Sequence, residues 1–205
     1  MHLGHKVQQI DPVSKTVHFE NGKTSQYEHL LTTMPITNLL QCLSVEDEYL
    51  KSIDTSEFLY SSAYILGFGI EGPQVEAYKD ISWAYFPEKE LPFYRVTWLH
   101  NYSDKVVPDI SKHWSLLIEV NQNSVPKGAT DQEILDMNEK AFRETGIIGP
   151  DCKIVSYFIR FLKLSYPVPF LKREEIIGKL VPYLEDKYQI YTRGRFGDWI
   201  YEFSN

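Results

Sequence analysis

Cysteine is scarce in this chain of 205 residues, since only Cys42 and Cys152 occur. They lie far apart, and neither has a Cys-x-x-Cys or histidine partner at the spacing of a metal site. A disulfide scaffold needs several paired cysteines, and a structural zinc site needs four closely spaced ligands. We therefore expect neither a disulfide framework nor a bound metal.

Positive charge is in short supply as well. The chain has 21 Lys and Arg against 28 Asp and Glu, which gives a formal net charge of -7 at pH 7. Nucleic-acid binding requires a basic surface, so no nucleic-acid partner is expected. An anionic small ligand is still compatible with this balance, because a few local arginines outweigh a distant acidic surface.

Long apolar runs and the common catalytic motifs are absent too. No stretch approaches the roughly 20 apolar residues of a membrane span, and the N-terminal MHLGHKVQQID is too polar for a signal peptide. We therefore expect a cytoplasmic protein without a membrane partner. The sequence contains no G-x-G-x-x-G, G-x-x-x-x-G-K-[ST], G-x-S-x-G or H-E-x-x-H. Residue chemistry alone does not indicate an enzyme.

Short strands dominate what is present. The first 35 residues read as successive strands with a hairpin signal at Asn21-Gly22, and further strand patterns are SSAYILGFGI, SWAYFP, FYRVTWLHN, WSLLIEVNQ and KIVSYFIRFLKLSYPVP. Strands in runs with few helices predict an α+β fold, with a mostly antiparallel sheet flanked by helices.

Three stretches are predicted to be helical. ITNLLQCLSVEDEYLKSI has leucines at helical spacing, and TDQEILDMNEKAFRETG carries a capping box between Thr130 and Glu133. KREEIIGKLVPYLEDK is predicted to be interrupted or kinked at Pro182. The closing YQIYTRGRFGDWIYEFSN alternates like a strand broken by Gly194 and Gly197.

An aromatic stretch surrounding one arginine is the first candidate site. In a regular strand, Arg95 shares a face with Phe93, Thr97 and Asn101, whereas Val96 and Trp98 occupy an apolar packing face with Tyr94, His100 and Tyr102. A guanidinium beside a hydroxyl and an amide suits an oxygen-rich anion such as a diphosphate. From this stretch alone, the alternative is a rim arginine that extends over aromatic rings, and it is the better explanation.

Two further stretches carry candidate ligand groups. In TRGRFGDWIYEFSN, Arg193, Arg195, Trp199 and Tyr201 share parity, and adjacent glycines permit close approach of a ligand, but an edge strand with solvated charges is the alternative. Tyr166, followed by two prolines, offers a rigidly placed hydroxyl, or simple turn packing.

Taken together and in this order, WAYFPEKELPFYR, NYS, HWSLLIEV, YPVP and GRFGDWIYEFSN resemble the UDP-galactopyranose mutases of eukaryotic type, within the amine oxidase and protoporphyrinogen oxidase superfamily. The N-terminal KVQQIDPVSKTVHFENGKTSQYEHLLTTMP is similar to the later strands of that superfamily's FAD domain. The resemblance covers nearly the whole chain.

The resemblance implies a role for each matched residue. It implies that Trp83 and Tyr85 lie in the uridine region and that Arg95 contacts the diphosphate. It implies hydrogen bonds to phosphate or sugar oxygens from three tyrosines, namely Tyr102, Tyr166 and Tyr201. It also implies that Arg195 and Asn205 lie near the hexose and the flavin. On the cofactor side, it implies contacts to FAD from Val7 at the adenine and from Thr33, Met34 and Gly194 at the flavin.

The chemistry implied by the resemblance belongs to reduced FAD, whose N5 reacts with the sugar, and no side chain is expected to be catalytic. The implied activity interconverts pyranose and furanose forms of a UDP-sugar. The alternatives are an FAD-dependent oxidoreductase of the amine oxidase superfamily acting on another substrate, and a non-catalytic binding or interaction domain.

The resemblance also implies a fragment that lacks the N-terminal FAD-binding fingerprint. We expect a remnant of the FAD domain in residues 1–45, a substrate-binding sheet and helix domain in 46–190, and a return strand toward the flavin in 191–205. Because the pyrophosphate-binding loop is missing, we expect the isolated chain to hold FAD weakly and to be inactive. Self-association, or pairing with a missing FAD-domain portion, is the expected way to cover its apolar surface.

Overall fold

The computed structural model of the chain describes residues 1–201. It divides into two compact units, one formed by residues 1–60 and the chain from Tyr166 onward, the other by residues 61–165. This division reflects the compactness of each unit. The segments 1–45, 46–190 and 191–205 describe the expected cofactor and substrate sides, and they remain a prediction.

Strands and helices follow one another in a fixed chain order. The strands are β1 (Val7–Asp11), β2 (Thr16–Phe19), β3 (Thr24–Gln26), β4 (Leu30–Thr32), β5 (Tyr60–Glu71), β6 (Trp83–Tyr85), β7 (Arg95–Trp98), β8 (His113–Asn121), β9 (Lys153–Pro167) and β10 (Ile190–Thr192). The α-helices are α1 (Ile36–Cys42), α2 (Glu48–Lys51), α3 (Asp131–Glu144) and α4 (Arg173–Tyr188). No helix within residues 1–201 is long and apolar enough to cross a membrane.

The first unit contains two small sheets and a core of its own. β1, β2 and β3 form an antiparallel sheet, and the predicted hairpin at Asn21-Gly22 is present, with Gly22 at φ 78°. β4 and β10 pair in parallel, Thr32 lying opposite Thr192. The largest part of the core consists of fully buried apolar side chains: Ile10, Ile36, Leu39, Leu180, Leu184, Ile190 and Trp199.

The second unit is a five-stranded sheet in the order β6-β7-β8-β5-β9. The pairs β6/β7, β7/β8 and β5/β8 are antiparallel, so the predicted α+β fold with a mostly antiparallel sheet is confirmed. Alternate residues point to one face, where they pack with α3 into a core that includes Leu66, Phe68, Val96, Trp98, Ile118, Ile134 and Phe142. The opposite face of the sheet carries Tyr85, Arg95 and Glu119.

The helix predicted over residues 36–53 is two helices. α1 ends because Leu43 adopts an extended conformation and forms a parallel bridge to Ile10. The amide of Ser44 then donates to the carbonyl of Ile10 at 2.8 Å, so the chain joins the edge of β1 before it turns again. Asp47 caps the N-terminus of α2. Pairing to a neighbouring strand therefore overrides the leucine spacing that predicted one helix.

Pro182 does not interrupt α4, which continues from Arg173 to Tyr188. A proline removes one backbone hydrogen bond, here the one to the carbonyl of Gly178. Both residues are exposed, so water can serve that carbonyl while Leu180 and Leu184 remain buried. The packing of the apolar face maintains the helix on both sides of the proline.

The capping box predicted at the start of α3 is confirmed. The Thr130 hydroxyl accepts the Glu133 amide at 3.3 Å, and the Glu133 carboxylate accepts the Thr130 amide at 2.7 Å. The Thr130→Ala variant is expected to lower the free energy of unfolding by about 1 kcal/mol, because one helix-terminal amide loses its acceptor. Urea unfolding at pH 7 measures this loss. Thr130→Ser keeps the hydroxyl and should match the wild type, and equal stability of the alanine variant would contradict the prediction.

Candidate functional site

Three adjacent strands of the second unit place Tyr85, Arg95 and Glu119 in one row. Tyr85 on β6 lies opposite Arg95 on β7, and Arg95 lies opposite Glu119 on β8. The apolar alternation decides which face Arg95 occupies. Val96 packs in the core on the α3 side, so the adjacent Arg95 points to the opposite face. Trp83 lies two residues before Tyr85 on the same face, so the sequence-predicted aromatic pair and arginine are brought together.

The arginine is held from two sides. Nη2 of Arg95 forms an ion pair with Oε1 of Glu119, whose side chain is 6% exposed. Nη1 donates to the hydroxyl of Tyr85 at 3.4 Å, and the guanidinium carbon lies 5.8 Å from the centroid of that ring. Contacts on both sides limit the rotamers of a side chain that is 25% exposed. The arginine is therefore positioned at a partly open surface.

The two exposed aromatic side chains form the remainder of this patch. Trp83 and Tyr85 are 52% and 54% exposed, and their rings meet edge to face with centroids 5.3 Å apart. Large aromatic rings left half exposed beside a guanidinium offer apolar faces for a planar ligand and a cation for an anionic one. We call Trp83, Tyr85 and Arg95 the arginine patch.

Glu119 and Tyr94 support the arginine patch and were missed from the sequence. The hydroxyl of Tyr94 donates to Oε2 of Glu119 at 2.6 Å, so both carboxylate oxygens are engaged. The available signal was the acid in WSLLIEVNQ, a charged residue inside an otherwise apolar strand. Strand alternation predicts that Tyr94 lies on the packing face with Val96, but its hydroxyl reaches the carboxylate that holds Arg95.

Tyr102 and Asn101 differ from the sequence prediction, because β7 ends at Trp98. A short 3-10 helix follows over Leu99–Asn101, and Tyr102 comes directly after it with 61% of its surface exposed. The Asn101 amide donates to the carbonyl of Ile81 at 2.8 Å and so serves the local turn. The alternation of a strand therefore does not place Asn101 or Tyr102 on either face relative to Arg95. Tyr102 is exposed because it directly follows the 3-10 helix.

The first unit contains a second arginine between aromatic rings. The guanidinium carbon of Arg195 lies 4.6 Å from the ring centroid of Tyr166 and 5.8 Å from that of Tyr201. The two rings are 5.4 Å apart and inclined by 32°. The three predicted residues are thus brought together, and we call them the tyrosine clamp. Asn205 lies outside the residues that the structure describes.

A compact turn, and not the predicted strand, presents Arg195. β10 ends at Thr192, after which Asp198 donates its amide to Gly194 at 3.0 Å and Ile200 donates its amide to Arg195 at 2.9 Å. Strand parity therefore does not relate Arg193, Arg195, Trp199 and Tyr201. The shared parity of alternating residues has no meaning once the backbone turns.

Burial and an arginine anchor this turn. Trp199 is 1% exposed and has φ 49°, and its carbonyl accepts from Nε of Arg173 at 3.0 Å. Nη2 of Arg173 donates to the carbonyl of Asp198 at 2.7 Å. The Asp198 carboxylate in turn accepts from the Thr192 hydroxyl at 2.9 Å. Arg173 thereby satisfies two carbonyls of the turn and fixes the loop that carries Arg195.

The candidate cofactor residues fall into two groups in the first unit. Val7 and Met34 line one open cavity of about 450 Å³, together with Lys6, Gln8, Glu20, Asn38, Gln41 and Cys42. Thr33 and Gly194 each follow shortly after the paired residues Thr32 and Thr192, at the carboxyl ends of the parallel strands β4 and β10. Ligands of sheets with parallel strands commonly bind beyond those ends. The polar lining and the strand ends fit a group such as FAD.

Among the described residues, no group of three or more His, Cys, Asp or Glu side chains is arranged to hold a metal ion.

The candidate site residues that the structure does describe divide between the two units. Trp83, Tyr85, Arg95 and Tyr102 belong to the second unit, and Val7, Thr33, Met34, Tyr166, Gly194, Arg195 and Tyr201 belong to the first.

Similarity to solved structures gives the family context. A reduced UDP-galactopyranose mutase superposes with a TM-score of 0.83 and 32% identity over 96% of this chain. A protoporphyrinogen oxidase-like protein from Exiguobacterium sp. 255-15 gives 0.60 and 14% over 88%, and a protein from Pyrococcus furiosus gives 0.53 and 8% over 93%. No protein-family model matches the chain.

The chain spans only part of these structures, namely 41% of the mutase and 39% and 40% of the other two. The identity with the mutase supports the superfamily of flavoproteins that the sequence resembles. The two more distant likenesses show the fold alone.

Proposed function

We propose that this chain is the substrate-side portion of a flavoenzyme that interconverts the pyranose and furanose forms of a UDP-sugar. The support is the 32% identity to a UDP-galactopyranose mutase, together with the side chains that the two units present. A eukaryotic-type mutase is the form that the sequence motifs favour.

The arginine patch is the observation that carries the proposal. A guanidinium presents planar donors that match phosphate oxygens, and Glu119 and Tyr85 hold it in one orientation. Glu119 offsets part of the charge of the arginine, but a doubly charged diphosphate is still attracted more strongly than a singly charged group. The exposed rings of Trp83 and Tyr85 provide stacking surfaces for uracil.

The tyrosine clamp supplies a second set of donors. Arg195 offers a cation between two rings, and the hydroxyls of Tyr166 and Tyr201 add donors for phosphate or sugar oxygens. Tyr102 is an exposed hydroxyl available for the same class of ligand. No nucleophilic side chain is needed from this set, since its task is to bind and orient.

FAD is the proposed cofactor, and when bound in its reduced form it supplies the reactive centre. Val7 and Met34 would contact it at the cavity that they line, and Thr33 and Gly194 would border it at the strand ends. These residues offer backbone groups and apolar contacts, which suits holding and orienting a ring system.

Titration with UDP tests the proposal. We expect isothermal titration calorimetry to show saturable binding to the wild type and an affinity at least tenfold weaker for Arg95→Ala. The loss corresponds to the roughly 1.5–3 kcal/mol of a hydrogen bond between charged groups. Uridine, which lacks the diphosphate, should bind both proteins with the same weak affinity.

Arg143→Ala is the matched control, because Arg143 lies on α3 and pairs with Glu139 at 2.9 Å, away from the arginine patch. It should bind UDP like the wild type. Equal UDP binding by Arg95→Ala and wild type, or no binding by either, would remove the diphosphate assignment. In the second case an oxidoreductase acting on a substrate without phosphate becomes the better interpretation.

A further inference from the structure

Arg173 lies at a place in α4 that its charge does not favour. It is the first residue of the helix, and the amino-terminal end of a helix carries partial positive charge, so a cation there is disfavoured. Its Nη1 forms an ion pair with the exposed Glu174, which offsets part of this cost. The side chain of Arg173 is nevertheless only 17% exposed. A buried cation at this position indicates a role outside α4.

That role is a two-point contact with the loop that follows β10. Nε of Arg173 donates to the carbonyl of Trp199 at 3.0 Å, and Nη2 donates to the carbonyl of Asp198 at 2.7 Å. Two consecutive carbonyls therefore accept from two donors of one planar group. A guanidinium provides this fixed fork, whereas the ammonium of a lysine is a single point of charge.

The backbone of the loop is unfavourable at Trp199 and needs to be held. Trp199 has φ 49°, in the left-handed region that residues with bulky side chains rarely adopt. Such a conformation persists only where its surroundings fix it. The indole is fixed against the rings of Phe58 and Phe196, at centroid distances of 5.1 and 5.3 Å. On the backbone side, Arg173 fixes the carbonyl of Trp199.

The same loop carries the cation of the tyrosine clamp. The amide of Ile200, the residue after Trp199, donates to the carbonyl of Arg195 at 2.9 Å. The guanidinium of Arg195 in turn lies against the rings of Tyr166 and Tyr201. A displacement of the Trp199 carbonyl therefore reaches Arg195 through one backbone hydrogen bond.

We propose that Arg173 is a positioning residue for ligand binding, which sets the place of Arg195 through the two carbonyls of the loop. The inference rests on the proposed function, in which Arg195 contacts phosphate or sugar oxygens, and extends it to a residue that acts from behind the loop. Because the effect passes through Arg195, removal of the Arg195 side chain should abolish it.

A double-mutant cycle on the 205-residue chain, measured by isothermal titration calorimetry with UDP, tests this route. Arg195→Ala should weaken UDP binding at least roughly tenfold, because a charged hydrogen-bond donor is lost. Arg173→Lys keeps the charge but loses the fork, and should weaken binding at least roughly fivefold. In the Arg195→Ala background, Arg173→Lys should cause no further loss. Arg160→Lys makes the same exchange at an exposed position of the second unit, and should bind UDP as the wild type does.

Hydrogen exchange measured by NMR without ligand reports on the loop itself. The amides of Asp198 and Ile200 donate within the loop, to the carbonyls of Gly194 and Arg195. In Arg173→Lys both amides should exchange at least roughly tenfold faster than in the wild type, because the loop opens more readily. The amides of β8 in the second unit should keep their wild-type exchange rates, which separates a local opening from a loss of overall stability.

Additive losses in the cycle would mean that Arg173 affects UDP binding by its own charge or through general stability, and would overturn the positioning role. So would wild-type UDP affinity in Arg173→Lys, or unchanged exchange at Asp198 and Ile200. A wild type that binds no UDP would instead overturn the proposed function, and the ligand-binding role of Arg173 with it, whatever the exchange rates of the loop.

Discussion

Asp47→Asn is expected to lower the free energy of unfolding by about 3 kcal/mol. The side chain of Asp47 is 3% exposed, and its Oδ2 accepts from Tyr183 at 2.7 Å, Tyr188 at 2.6 Å and Lys187 at 2.8 Å. Its Oδ1 caps α2 by accepting the Leu50 amide at 3.1 Å. Hydrogen bonds to a charged group are worth roughly 1.5–3 kcal/mol each, and an asparagine oxygen keeps only part of them.

Urea unfolding at pH 7 measures this loss, and Asp186→Asn is the matched control. Asp186 is exposed on the same helix as the three donors and has the same change of charge, so its variant should stay within about 0.5 kcal/mol of the wild type. Tyr183→Phe and Tyr188→Phe each remove one donor and should each cost less than the asparagine variant. Equal stability of Asp47→Asn and Asp186→Asn would contradict the account.

The same cluster sets a dependence on acid. Burial opposes ionisation of Asp47, but the hydrogen bonds from Lys187, Tyr188 and Tyr183 outweigh it and lower the pKa of this carboxyl below its ordinary 3.8. A lowered pKa in the folded state stabilises the protein above the unfolded pKa and ceases to do so as the pH falls. The difference in the free energy of unfolding between the wild type and Asp47→Asn should therefore shrink as the pH falls below about 4. A constant difference between pH 7 and pH 3 would exclude the carboxylate as its source.

Local signals were sufficient where a short stretch of sequence determines the structure. The capping box of Thr130 and Glu133 needs only residues three apart, and the hairpin at Asn21-Gly22 needs only a turn. The arginine patch was also readable, because Tyr85 and Arg95 each lie in a strand with apolar alternation. Their pairing follows from antiparallel neighbours.

Partners that are distant in sequence were not readable. Asp47 meets Tyr183, Tyr188 and Lys187 from more than 100 positions away, and nothing near Asp47 in the sequence indicates them. Glu119 is 24 positions from Arg95, and its role follows only once the strand register is known. Such contacts depend on the packing of whole elements, which no local pattern encodes.

The C-terminal turn shows how a true juxtaposition can be predicted with the wrong backbone. The alternating pattern predicts that Arg195 and Tyr201 share one face of a strand, yet a turn stabilised by Trp199 and by Arg173 presents Arg195. Period-two alternation of large residues is typical of strands, but it also arises in a turn whose bulky side chains are buried for other reasons. The glycines were the better signal, since both Gly194 and Gly197 lie within the turn.

Gly197→Ala is expected to destabilise the protein by about 2–3 kcal/mol and to displace Arg195. Gly197 is buried, and a Cβ there would lie 2.9 Å from the backbone C and N of Arg193 and closer still to its carbonyl oxygen. These are backbone atoms of the same turn, so no flexible side chain can move aside, and overpacking at a rigid site costs this amount. The shift separates Arg195 from the rings of Tyr166 and Tyr201 and so breaks the tyrosine clamp.

Gly178→Ala is the control with the opposite sign. Gly178 is exposed inside α4, where an added Cβ would have nothing within 4 Å, so alanine should stabilise the protein by roughly 0.5–1 kcal/mol through helix propensity. Urea unfolding measures both variants, and UDP titration of Gly197→Ala should show a loss of affinity similar to that of Arg195→Ala. If Gly197→Ala were as stable as Gly178→Ala, the tight turn would not be the element that presents Arg195. If it were unstable but bound UDP like the wild type, Arg195 would have no part in holding the ligand.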